Sequence, residues 1–244
     1  MDRRLKVALY QTGTAGLLSD DRWRTRLRQC ADRGVELLVT PEFAIGGLSH
    51  TAESAGKRAL DNPMQLLAHA GDAPAELTVI LGYTERTRSG LHSSAAVLRN
   101  GTLVTTVRKA YPREPGLVPA SARAVGRSTF DVAGVRCGIL ICADARHPEL
   151  AAGLAAEGAE LLICPLNNDM SLANAARWRL PTEEALAARA REIGCWVVSA
   201  DVAGQQVGRS ALAATRVIAP DGSERARSEP LPDELVVFDL LINR

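Results

Sequence analysis

An α/β fold follows from three features of this 244-residue sequence. Short apolar segments alternate with Ala/Leu/Arg-rich stretches of helical character, the pattern of an α/β domain. A helix-to-strand unit occurs twice, as Gly34-Val-Glu-Leu-Leu-Val-Thr-Pro41 and as Gly158-Ala-Glu-Leu-Leu-Ile-Cys-Pro165. The balance of 46% hydrophobic and 23% charged residues belongs to a globular chain that can bury a large core without metal or disulfide staples. One domain over residues 1–244 is expected.

The elements follow in order. Residues 6–11 read as the opening strand and 20–33 as a helix, which ends at Gly34 because glycine accepts the left-handed conformation just past a helix C-terminus. Buried strand 37–40 stops at Pro41. A helix is expected over 64–73, then strands over 78–83, 94–99 and 102–109. Asn100-Gly101 between the last two marks a tight hairpin turn. Residues 112–128, rich in Pro, Gly and Arg, form the least regular stretch, and long irregular loops in compact domains are often functional. Strand 137–142 precedes helix 148–157, which Pro148 opens. Strand 161–164, helix 182–193 and strands 196–201, 211–218 and 234–240 complete the chain, with Pro220-Asp221-Gly222 as a turn before the last strand. The two helix-to-strand units fit related halves of a two-sheet sandwich, and equally fit convergence on a common α/β connection.

Composition narrows the function classes. A net charge of +1 with arginines scattered among acidic residues sets up no field for nucleic acid or an anionic membrane. No apolar run is long enough to span a bilayer and the N-terminus lacks the pattern of a signal peptide, so a soluble cytoplasmic protein is expected. The five cysteines are odd in number, sit mostly in apolar stretches and include no CxxC pair, and the four histidines are dispersed. Neither disulfides nor a metal site is expected, and no cofactor is implied.

Three residues at predicted strand ends carry candidate chemistry. Cys142 follows an apolar strand and precedes polar residues and a helix start. Backbone N–H groups there can stabilise a thiolate and an oxyanion. Glu42 follows Pro41 among apolar neighbours, where a raised pKa suits a general base. Lys109 ends the strand 102–109. It is one of only three lysines, with Lys6 and Lys57, in a chain that otherwise uses arginine, and a lysine provides a compact charge for an oxyanion or a thiol. Taken singly, Cys142 fits a small core residue, Glu42 a loop glutamate facing solvent, and Lys109 a surface lysine.

In company these segments resemble the nitrilase superfamily, the carbon–nitrogen hydrolases, in order over nearly the whole chain. Lys6-Val-Ala-Leu-Tyr-Gln11 is similar to the family's opening strand, Leu37-Leu-Val-Thr-Pro-Glu-Phe43 to its glutamate segment, Arg108-Lys109 to its lysine segment and Cys137-Gly-Ile-Leu-Ile-Cys-Ala-Asp144 to its cysteine segment. The resemblance implies a four-layer α-β-β-α sandwich and a Glu42–Lys109–Cys142 triad. Cys142 would attack an amide carbonyl carbon, and Glu42 would take its proton and later activate water. Lys109 and the Ala143 backbone N–H would hold the oxyanion. Glu114 is the best match to a second glutamate that orients the lysine. The implied partner is a small-molecule amide, and a homodimer or larger homo-oligomer is expected.

Departures from the family pattern fall at Ala143, His147, Tyr111-Pro112 and His92-Ser93, and they leave the subfamily open. Arg146 is a candidate for a substrate carboxylate or for an ion pair with Asp144 or Glu149. Asn167 and Asn168 are candidate amide-recognising groups that equally suit local turn bonds. Trp178 either lines a pocket or covers the core. The expected activity is hydrolysis of a small amide with release of ammonia or an amine. The alternatives are an N-carbamoyl-amine hydrolase and a catalytically silent binding or assembly subunit.

Overall fold

The computed structural model describes residues 3–17, 20–70 and 73–242. The chain begins with β1 (Arg3–Gly13), α1 (Asp20–Asp32), β2 (Leu37–Val39), α2 (Ala52–Arg58) and α3 (Leu67–Ala70). It continues through β3 (Thr78–Thr87), β4 (Gly90–Arg99), β5 (Thr102–Arg108), α4 (Ala122–Val125), β6 (Thr129–Val132), β7 (Val135–Ile139), α5 (Pro148–Ala156), β8 (Leu161–Pro165) and β9 (Asp169–Ser171). After α6 (Leu172–Ile193) come β10 (Trp196–Ala200), β11 (Val202–Ala203), β12 (Gln205–Gln206), β13 (Arg209–Ala211), β14 (Arg216–Ile218), β15 (Glu224–Arg227) and β16 (Glu234–Ile242).

Among the described residues these strands make two large mixed sheets. One runs β11-β1-β2-β3-β4-β5, with β16 paired to β1; the other runs β15-β14-β10-β8-β7-β6. A small third sheet joins β12, β13 and β9. The layer order can be read from β1, whose side chains alternate between faces. Leu5, Val7 and Leu9 join one core cluster with β7, β8 and β10 of the second sheet, while Ala8 and Tyr10 join another with Trp23, Leu27 and Cys30 of α1. Leu150 and Leu154 of α5 and Leu186 of α6 belong to the first cluster. Helix, sheet, sheet and helix therefore stack as the four layers that the resemblance implied.

The two similar helix-to-strand units sit one in each sheet. Gly34 (φ 63°) and Gly158 (φ 85°) both take the left-handed conformation after their helices. The strands β2 and β8 each pair in parallel on both sides. At Asn100-Gly101 both φ angles are positive, 50° and 64°, as a two-residue hairpin turn between right-twisted strands requires.

Several expected boundaries moved. The strand expected over 137–142 ends at Ile139, and Cys142 instead opens a 3-10 helix, Cys142–Arg146. The strand expected over 211–218 is broken, because residues between β13 and β14 turn aside to bond Asp201. The Ala214 N–H donates to its carboxylate at 2.9 Å, and the Thr215 hydroxyl accepts from the Asp201 N–H at 2.9 Å. Helix α6 begins ten residues before the expected 182 and runs through Pro181, with the Ser171 hydroxyl accepting from the Asn174 N–H at its start. Proline removes one helical bond, and here packing of α6 on β9, β13 and the cysteine turn sustains the helix. The helix expected over 64–73 is a 3-10 turn, Pro63–Leu66, followed by α3; residues 71 and 72 lie outside the described residues. Among the described residues no helix is long and apolar enough to cross a membrane.

Candidate active site

Glu42, Lys109 and Cys142, far apart in sequence, meet where the two large sheets face each other. Glu42 leaves the end of β2. Its N–H donates to Leu166 O at 3.0 Å and its carbonyl accepts from Asn167 Nδ2 at 3.1 Å, so the end of the β8 unit holds the end of the β2 unit across the sandwich. The approach needs Gly82 on β3. A Cβ there would stand 2.2 Å from Pro41 O and 2.8 Å from Glu42 Cα.

Lys109 directly follows β5, its N–H donating to Ser93 O at 2.8 Å. A β-bulge makes this pairing. Leu98 faces Leu103, but beyond Val97 the register shifts by one, so Ser94 faces Arg108. A one-residue slip turns every following side chain to the other face of a strand. With the bulge, Ser93 and Lys109 both reach Glu42: the Ser93 hydroxyl donates to Glu42 Oε1 at 2.6 Å and Lys109 Nζ donates to the same oxygen at 2.8 Å. Lys109 Nζ also donates to Glu114 Oε1 at 3.0 Å. An ammonium has three N–H donors; two go to the carboxylates, which leaves one for a ligand.

Both Glu42 and Lys109 are 1% exposed. Burial pushes the Glu42 carboxyl up to about 7, against the opposing pull of Lys109 and the Ser93 hydroxyl. Its second oxygen, Oε2, is buried without a hydrogen-bond partner, and an orphaned carboxylate oxygen is a ready proton acceptor. Burial pulls the Lys109 ammonium down, but the charges of Glu42 and Glu114 and the bond to Glu42 outweigh it and hold the group protonated.

Of the five thiols, Cys142 alone is not fully buried. It sits at φ 48°, a backbone conformation that costs a non-glycine residue energy and recurs at functional sites. As the first residue of a 3-10 helix it lies among N–H groups that have no partner within that helix. Burial and the nearby Glu42 push its thiol up to about 12, with Lys109 and the Asn167 N–H acting in the opposite direction. At neutral pH it is therefore a thiol that needs a base.

A cavity of about 340 Å³ opens onto this group. Lys109, Glu114, Cys142 and Ala143 form its reactive wall, and Arg146, Asn167, Asn168 and Trp178 line it as well. Leu48, Ser49, His50, Arg113, Pro115, Asp169, Met170 and Asn174, none of them singled out in sequence, complete the lining. Ser49 and His50 belong to a loop after Glu42 whose course depends on Gly46 and Gly47, both at positive φ. Ser93 was visible in sequence only as a departure from the family pattern.

Individual candidates resolve as follows. Arg146 makes no ion pair with Asp144 or Glu149; its guanidinium lies 4.1 Å from the centre of the Trp178 ring, and Trp178 lines the cavity. The Asp144 carboxylate instead accepts from the N–H groups of Ala110 (3.1 Å) and Tyr111 (2.9 Å). Asn168 donates through both its backbone N–H and Nδ2 to the buried carboxylate of Asp201, at 3.0 Å each, and Asn167 holds the Glu42 carbonyl. Their donor groups serve the frame of the site.

Comparisons with known proteins place the chain in a family and a fold. A family model described as Carbon-nitrogen hydrolase matches residues 7–242. The protein named "Hydrolase in pqqF 5'region" of Pseudomonas protegens is 30% identical over 238 residues, covering 92% of this chain and 79% of that one. The deaminated glutathione amidase of Escherichia coli O157:H7 is 27% identical over 220 residues, covering 84% of this chain and 78% of its own. Among solved structures, an amidase from Nesterenkonia sp. superposes with a TM-score of 0.80 over 98% of this chain and 91% of that one, at 21% identity, which shows a shared fold.

Proposed function

The chain belongs to the carbon–nitrogen hydrolase family, and on that premise we propose that it hydrolyses a small, carboxylate-bearing amide through Glu42, Lys109 and Cys142. The observation that carries the proposal is one constellation: a lysine with one spare donor and a half-buried thiol at a single cavity, with the Glu42 carboxylate, one oxygen unpartnered, bonded to that lysine.

The steps follow from the groups present. Glu42 takes the thiol proton as Cys142 Sγ bonds to the carbonyl carbon. A thiol near 12 and a carboxyl near 7 make that transfer uphill by itself, so it runs together with C–S bond formation. The oxyanion that develops is held by the spare N–H of the buried Lys109 and by the Ala143 N–H, donors fixed in place before charge develops. The C–N bond breaks, the Glu42 proton leaves with ammonia or an amine, and a thioester remains. Water then attacks, giving its proton to Glu42. The C–S bond breaks, and the proton returns to the sulfur as the acid departs. Glu114 orients Lys109 through both steps.

The acyl specificity rests on Arg146 and Arg113. Both line the cavity, and neither guanidinium makes an ion pair with a carboxylate among the described residues, Arg113 bonding Glu114 only through its backbone N–H. Burial lowers the Arg146 pKa, and the nearby Arg113 charge adds to that shift, so an anionic substrate group relieves the repulsion between them. A panel of ω-carboxylate amides, N-carbamoyl acids and neutral aliphatic amides, read by ammonia release, tests this. Anionic amides should be preferred, and Arg146→Ala should remove that preference through KM. A slow substrate should leave a thioester on Cys142 visible by intact mass, and Cys142→Ala should abolish both adduct and turnover. Full activity in Cys142→Ala would refute the mechanism, and a preference for N-carbamoyl acids would reassign the substrate class.

A further inference from the structure

Catalysis here depends on contact between two sheets. Lys109 follows β5 of the first sheet and Cys142 follows β7 of the second, and past the Lys109 N–H bond to Ser93 O no strand pairing holds Ala110 and Tyr111. Three contacts fasten residues 109–111 to residues 142–149 instead. On the inside, the buried Asp144 carboxylate accepts from the N–H groups of Ala110 and Tyr111. On the outside, the rings of Tyr111 and His147 stack with centroids 3.4 Å apart and planes 6° from parallel. Glu149 closes the group, its Oε1 accepting from the Tyr111 hydroxyl at 3.0 Å and lying 3.2 Å from His147 Nδ1.

We propose that Tyr111 and His147 are a pair of positioning residues that clamp the lysine segment to the cysteine turn and thereby set how Lys109 meets the reacting carbonyl. Neither ring lines the cavity that holds Cys142: both lie along an outer groove with Pro112 and Pro119. They act through Lys109, two residues from Tyr111, and through Cys142, five residues from His147. Loss of the Tyr111 ring removes both the stack and the Glu149 bond and leaves Asp144 alone, and loss of the His147 ring removes the stack and leaves Asp144 with the single Tyr111–Glu149 bond. A misplacement of about 1 Å at a reacting group costs on the order of 10²-fold in rate. The two substitutions should also be redundant with each other, since either one opens the same clamp.

The proposal rests on Cys142 being the nucleophile activated by Glu42 and Lys109. The experiment therefore uses a readout that needs no knowledge of the substrate: alkylation of Cys142 by iodoacetamide, in which sulfur bonds to the methylene carbon, iodide leaves and Glu42 takes the thiol proton. Wild type should react much faster than Glu42→Gln; equal rates would overturn the nucleophile assignment and the clamp with it. With that difference in hand, Tyr111→Ala and His147→Ala should each slow alkylation, and kcat on the best amide, by roughly tenfold or more, with KM unchanged within about twofold. The double variant should lose no more than either single one. His147→Phe, which keeps a ring to stack, should recover most of the rate, and Tyr111→Phe should stay near wild type. Wild-type rates in both alanine variants, losses that multiply in the double variant, or no recovery in His147→Phe would each overturn the clamp while leaving the nucleophile in place.

Discussion

At the residue scale, the site works through burial. A carboxyl 1% exposed beside one ammonium titrates near 7 because the loss of hydration outweighs the attraction of Lys109 and the bond from Ser93. Activity that needs Glu42 ionised should rise with pH through about 7, and Glu42→Gln should lose most of kcat, a general base contributing about 10²–10⁴-fold. The same group shapes stability. Its folded pKa of about 7 stands above the ordinary 4.5, so the folded state holds an extra proton between those values. The stability it contributes is fully present below 4.5 and lost as pH rises through 7. Denaturant unfolding across that window should show a downward slope for wild type that flattens in Glu42→Gln. The candidate residues themselves were legible in sequence because each follows a strand and precedes a turn. Their neighbours were not: Lys109 meets Glu42 beside the Ser93 hydroxyl only after a bulge that no residue type in β5 announces.

At the element scale, small irregularities aim the side chains. The bulge at Val97/Leu98 turns Lys109 to the face that holds Glu42, the 3-10 turn puts Cys142 at positive φ, and Gly82 gives the Glu42 turn room. Gly82→Ala places a methyl within 2.2 Å of Pro41 O, a backbone atom that cannot rotate away. It should cost about 1–3 kcal/mol by overpacking, measured by denaturant unfolding, and lower kcat through the shifted Glu42. A fully active and stable Gly82→Ala protein would show that the turn does not depend on this approach. Regular elements with strong local signals were readable, notably the helix-glycine-strand units and the Asn100-Gly101 hairpin. Elements held by distant partners were not. Helix α6 runs through Pro181 because its packing outweighs the local penalty, and residues 212–215 leave the strand to satisfy Asp201.

At the scale of the whole molecule, the layer between the sheets supports both fold and site, since each sheet brings part of the constellation. Leu9, fully buried on the inward face of β1, lies in that layer. Leu9→Ala should cost about 2–5 kcal/mol, and because the layer spaces the sheets, kcat should fall as well at temperatures where the protein stays folded. Denaturant unfolding with parallel kinetics checks both; stability lost with kcat intact would mean that sheet spacing is set elsewhere.

The sequence by itself determined the α/β fold and the family and singled out Glu42, Lys109 and Cys142 as candidates, because these depend on local patterning and on the order of short motifs. Only the tertiary structure decided what surrounds them. The Asp144 bridge, the Tyr111–His147 stack and the convergence of Arg113 and Arg146 on one cavity all join segments tens of residues apart. Whether such segments meet depends on how two sheets pack, which no local stretch of chain encodes.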